Sequence, residues 1–72
     1  MQLEQALDNI PKGQFRVVKF DKIQGEFFVV NDYPSANDAV GVAASKQKED
    51  LKHSNGRIRT FYYAYNSQGK IV

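Results

Sequence analysis

Apolar positions recur along this chain in two rhythms, and each predicts an element. Leu3, Ala6, Leu7 and Ile10 fall at i, i+3, i+4 and i+7, the stripe of a short amphipathic helix over residues 1–10. Pro11 and Gly13 stop it. A helix this short has no stability alone in water and must dock or stay disordered. From Gln14 to Phe20 the residues turn β-branched and aromatic, which predicts a strand. Asp21-Lys22-Ile23-Gln24-Gly25 predicts a hairpin connection, with Glu26 to Asn31 as the return strand. Neither strand alternates cleanly. Phe15 and Val17 oppose Val18 and Phe20, and Phe27 and Val29 oppose Phe28 and Val30. Strands apolar on both faces are covered on both faces.

Asp32-Tyr33-Pro34 ends the hairpin. Ser35 is a helix N-cap candidate with Asp38 at N3, a capping box with a shorter acid. The spacing predicts a helix from about Ala36 to about His53. Ala36, Ala39, Val40, Ala43 and Ala44, with Gly41 among them, predict a narrow small-residue face that brings helix and sheet close. Lys46, Lys48, Lys52 and His53 gather towards the negative end of the helix dipole. Asn55-Gly56 predicts a left-handed stop. Arg57 to Tyr65 then reads as a third strand. Asn66 to Gly69 is a turn, and Lys70-Ile71-Val72 admits a short fourth strand.

The resulting fold class is α+β. A small three- or four-stranded antiparallel sheet, with a ββαβ core, packs on one long helix. A short amphipathic helix precedes it. Residues 1–72 make one domain, of which residues 1–13 are the N-terminal helix and linker. A chain of this size buries only about 60% of the surface its unfolded form exposes, so a partner or tight packing must supply its margin.

Composition removes several chemistries. There is no cysteine and a single histidine, His53. That excludes disulfides, thiol nucleophiles and cysteine-ligated metal sites, and no cofactor or metal is expected. The lack of cysteine fits a reducing, cytoplasmic setting. No apolar run approaches the roughly 18–20 residues that cross a membrane. The polar, acidic start does not resemble a signal peptide. Net charge is +2, unevenly spread. Residues 1–45 carry four basic and six acidic side chains, and residues 46–72 carry six basic and two acidic. Such asymmetry marks either a basic face or ordinary solvated charge.

No catalytic constellation emerges. His53 and Ser54 are neighbours on a helix end and do not face one another. Gly41-Val42-Ala43-Ala44-Ser45-Lys46 lacks the second glycine of a phosphate loop and falls inside a helix. Asp21, Glu26 and Asp32 lie at the hairpin ends, with nothing to make them converge. The expectation is a non-enzymatic protein.

The third strand carries the candidate chemistry. Alternation puts Arg57, Arg59, Phe61, Tyr63 and Tyr65 on one face and Ile58, Thr60, Tyr62 and Ala64 on the other. The second set suits the alanine-lined helix. Lys19 joins the first set if its strand is the neighbour. Three readings of that face stay open. The N-terminal helix covers it through Leu3, Leu7 and Ile10. A protein partner or a second copy binds it, since tyrosine and arginine concentrate at interfaces. Or, as the alternative, single-stranded nucleic acid stacks on its rings, although no RRM-type signature is present.

Overall fold

The computed structural model describes residues 1–55 and 57–72. Helix α1 (Leu3–Ala6) leads to strands β1 (Phe15–Asp21) and β2 (Glu26–Tyr33). Helix α2 (Ala36–His53) and strand β3 (Thr60–Tyr65) follow. The sheet is antiparallel with order β2-β1-β3, so the first strand is central. The α+β architecture expected from the pattern is present: three strands on one long helix, with a short helix before them.

The β1–β2 turn is built by Asp21. Its Oδ1 accepts from the backbone N–H of Ile23 at 2.9 Å and of Gln24 at 3.1 Å. Gly25 closes the turn with φ 67°, a conformation that glycine adopts without Cβ strain. Strand β2 runs past the expected Asn31 to Tyr33. The ladder shifts between Val17, which faces Asn31, and Val18, which faces Val29. One extra residue on β2 is thus bulged out, and a bulge sharpens local twist.

Covering on both faces is seen most fully at the central strand. Val17 and Val18 are both completely buried, on opposite sides. Val17 joins Ala39, Ala43 and Ala64 beneath α2, with Phe15, Val30, Tyr33, Val42 and Tyr62 around them. Val18 joins Ala6, Ile10 and Tyr65 beneath the N-terminal segment, with Leu3, Leu7, Phe27 and Tyr63 at the margin. The two layers are separate cores joined through one strand.

Helix α2 starts as the pattern predicts. Ser35 is the N-cap, and its Oγ accepts from the Asp38 N–H at 3.1 Å. Lys52 and His53 occupy the last turn. Asn55 adopts φ 54°, the left-handed stop expected there, while Gly56 lies outside the described residues. The small-residue face needs correction. Ala39 and Ala43 are buried, but Val40 and Ala44 are exposed. A Cβ built on Gly41 would meet no atom within 4 Å. Gly41 therefore gives no close approach to the sheet, and its place is the solvent side of the helix. Gly41→Ala is expected to stabilise the protein by up to about 1 kcal/mol, read as a raised midpoint in thermal or urea unfolding.

Three boundaries also differ. The N-terminal helix is one turn long, because the chain swings out at Asn9, φ 58°. Ile10 reaches the core from beyond that swing. Strand β3 starts at Thr60, so Arg57, Ile58 and Arg59 precede the strand. The Lys70-Ile71-Val72 strand is reduced to a single antiparallel bridge between Tyr65 and Ile71. Among the described residues, no helix is long and apolar enough to cross a membrane.

Candidate binding surfaces

Alternation along β3 divides its side chains as the sequence predicts. Thr60, Tyr62 and Ala64 lie on the α2 side, and Phe61, Tyr63 and Tyr65 on the α1 side. The α1 side is partly occupied by the chain itself. Tyr65 is only 7% exposed, and its ring centroid is 6.4 Å from that of Tyr63. Burial raises the Tyr65 phenol above its ordinary value, with the neighbouring Tyr63 adding to the effect. Leu3, Ala6, Leu7 and Ile10 thus cover Tyr65 and the near side of Tyr63. Of the three rings, Phe61 is the one that this cover does not reach.

What holds the cover in place is a residue that the sequence reading counted only as a charge. Arg16, on β1, reaches the α1 side. Its Nε donates to Asp32 Oδ1 at 2.7 Å and its Nη2 to Oδ2 at 3.0 Å, a two-point carboxylate clamp. Its Nη1 donates to the carbonyls of Ala6 at 3.1 Å and Asp8 at 2.7 Å. Those are orphan acceptors where α1 ends. One guanidinium thus joins β1, β2 and the end of α1. The other hairpin carboxylates stay apart from this clamp. Asp21 builds its turn, and Glu26 lies 3.7 Å from the Met1 amino group. The three acids do not converge.

The same face carries a row of three phenylalanines that starts at the margin of the N-terminal cover, where Phe27 packs against the buried cluster and pairs its backbone with Met1. The register sets Phe27 on β2 opposite Phe20 on β1, and Phe20 opposite Phe61 on β3. The row crosses the whole sheet. All three are half-buried, and the Phe20 and Phe27 rings lie 4.6 Å apart at 38°. Phe20 and Phe61 belong to neither buried cluster. Exposed Ile23 sits in the turn beside them, 66% accessible.

Lys19 does not join this face. Although β1 does neighbour β3, Lys19 is paired with Tyr62, on the α2 side. Its Nζ lies 5.0 Å from the centre of the Phe28 ring, a cation–π contact. A single register step decides this, because adjacent residues of a strand point to opposite faces. Arg57 and Arg59 are exposed and lie in the segment before β3. The candidate residues therefore separate into four places: Tyr65 and part of Tyr63 under α1, Phe61 in the phenylalanine row, the arginines before β3, and Lys19 on the opposite face.

On the α2 side, a polar cluster fastens the helix to the edge of the sheet. The Gln47 side chain behaves like one more piece of strand. Its Nε2 donates to the Thr60 carbonyl at 2.8 Å, and its Oε1 accepts from the Tyr62 N–H at 3.0 Å. Further along that edge, the Val72 N–H donates to the Ala64 carbonyl at 3.0 Å. The β3 edge is thereby blunted against strand addition. Asp50 accepts from both the Thr60 hydroxyl and, at 3.0 Å, the Tyr62 phenol. Helical spacing marks this cluster in the sequence: positions 39, 43, 47 and 50 form one stripe, alanine in its first half and polar in its second.

Comparison of the chain with protein-family models finds no match, and comparisons with curated proteins and with solved structures find none either.

Proposed function

We propose that this is a small, non-enzymatic interaction protein that binds a protein partner, or a second copy of itself, through the partly covered end of its sheet. The observation that carries this reading is the row Phe27–Phe20–Phe61, whose rings keep partial exposure and of which Phe20 and Phe61 lie outside both buried clusters. Contiguous aromatic surface of this kind is costly in water, and aromatic side chains concentrate in the cores of interfaces. The cysteine-free composition supports a cytoplasmic setting. The nucleic-acid alternative keeps Arg57, Arg59 and Phe61. It is weakened by the burial of Tyr65 and by Lys19 on the opposite face.

Light scattering coupled to gel filtration tests self-association, the arm that needs no second component. The mass is expected to rise towards a dimer between micromolar and millimolar concentration. Phe61→Ser should return it to the monomer while leaving the fold intact. A monomer throughout that range removes self-association. Single-stranded DNA or RNA that binds at low salt and releases steeply with added salt would favour the alternative instead.

A further inference from the structure

A second surface lies where α2 ends and the chain returns to the sheet, and it is independent of the phenylalanine row. An open cavity of about 480 Å³ is lined there by His53, Ser54, Asn55, Arg57 and Arg59. A neighbouring cavity of about 250 Å³ shares His53, Ser54 and Arg59 with it and adds Leu51 and Ile58. Those two aliphatic side chains are 36% and 39% exposed. The two cavities adjoin as one groove, cationic at one end, and at the other aliphatic through Leu51 and Ile58 with Gln47, Asp50 and Thr60 beside them.

Two backbone hydrogen bonds anchor the segment that carries both arginines. The Arg57 N–H donates to the Ser54 carbonyl at 3.1 Å, which ties the segment to the helix end. The Lys22 N–H donates to the Arg59 carbonyl at 3.0 Å, which ties it to the sheet. Both guanidinium groups are exposed, and among the described residues neither forms an ion pair. Among the described residues the groove has one carboxylate, Asp50, which stays charged but is turned towards the Thr60 and Tyr62 hydroxyls that donate to it. An arriving anion therefore meets guanidinium groups whose charge is not already matched.

We infer that this groove binds an acidic peptide segment in which carboxylates alternate with aliphatic side chains. The carboxylates pair with Arg57 and Arg59, and an aliphatic side chain packs on Leu51 and Ile58. Charge complementarity selects an anion. The character of the floor selects peptide over nucleic acid. Among the described residues His53 brings the one aromatic ring to either cavity, whereas single-stranded nucleic acid binds by stacking successive bases on several rings. Guanidinium also matches a carboxylate in two-point geometry.

The probe is a short fluorescein-labelled peptide of alternating glutamate and leucine, titrated by anisotropy. Binding is expected at low salt and should weaken as salt is added. Reversing both charges, Arg57→Glu with Arg59→Glu, should weaken it about tenfold or more. Reversing two exposed lysines at the other end of the sheet, Lys12→Glu with Lys70→Glu, makes the same change in net charge and should leave it nearly unchanged. Ile58→Ser should weaken the glutamate–leucine peptide more than a glutamate–serine peptide. Thermal unfolding of each variant checks that the fold is retained. The inference is overturned if the peptide fails to bind at low salt. It is equally overturned if the two double reversals act alike, if the serine peptide binds as tightly as the leucine peptide, or if oligothymidylate displaces the peptide at lower concentration.

Discussion

Arg16→Met is expected to destabilise the protein by about 2–3 kcal/mol and to release the N-terminal segment from the sheet. The side chain is 12% exposed and its partner, Asp32, 23%. Removing one member of a fully buried ion pair costs about 3–5 kcal/mol, because the other charge is left uncompensated. Partial access of water to Asp32 lowers that figure. The carbonyls of Ala6 and Asp8 lose their donor at the same time. The pKa of Arg16 is raised, first by its hydrogen bonds to Asp32, so the guanidinium is held in its charged form. Small domains have total stabilities of about 5–15 kcal/mol, so the loss is large. Urea unfolding gives the magnitude. Hydrogen exchange gives the place: the amides of Ala6 and Leu7 should lose protection, while those of α2 keep it until global unfolding. The double variant Arg16→Met with Asp32→Leu should lose less than the two single changes together, since it leaves no lone charge. An Arg16→Met protein as stable as the parent, with unchanged exchange at residues 6–7, would show that α1 is held by its apolar contacts alone.

The local elements of this fold are written in the sequence, and their partners are not. Ser35 and Asp38 mark the start of α2 because a cap is a contact three residues apart. The division of Thr60 to Tyr65 between two faces follows from alternation alone. The Arg16–Asp32 clamp joins residues sixteen apart, across a register that contains a bulge. Alternation places Arg16 with Val18 and Phe20, but nothing local says what waits there. Lys19 went to the wrong face for a related reason. Knowing that two strands are neighbours does not give the register, and the register decides which residues meet. The limits of β3 and α1 fall inside those of the pattern because apolar and aromatic runs continue past the point where hydrogen bonding stops. The side that Gly41 takes follows from helical spacing: two residues from Ala39 is about half a turn, which puts it opposite the buried stripe. The phenylalanine row required the sheet order, since its members come from three strands.

Asp50→Ala is expected to cost about 2 kcal/mol, and the pH dependence of stability should identify the source. The change leaves the Thr60 hydroxyl and the Tyr62 phenol, both in half-buried surroundings, without their acceptor. In the folded protein the Asp50 pKa is lowered, first by the Thr60 hydroxyl that donates to it, with burial opposing and Tyr62 adding to the effect. A depressed carboxylate contributes stability above its unfolded pKa, near 4, and loses it as pH falls through the folded value. The acid limb of the stability curve should therefore be shallower in Asp50→Asn than in the parent. Tyr62 provides the opposite limb. Burial first, then the bond to Asp50, pushes its phenol up from 10.0 to about 12. A raised phenol contributes stability below its unfolded pKa and loses it as pH rises towards the folded one. Alkaline loss should thus fall between roughly pH 10 and 12, and Tyr62→Phe should remove much of it. Tyrosinate absorbance separates the causes. In Asp50→Ala the Tyr62 titration should move down only part of the way, since burial, the larger cause, remains. A full return to the ordinary value would mean that removing Asp50 freed the helix end from the sheet, making this carboxylate the fastening of α2 rather than one contact among several.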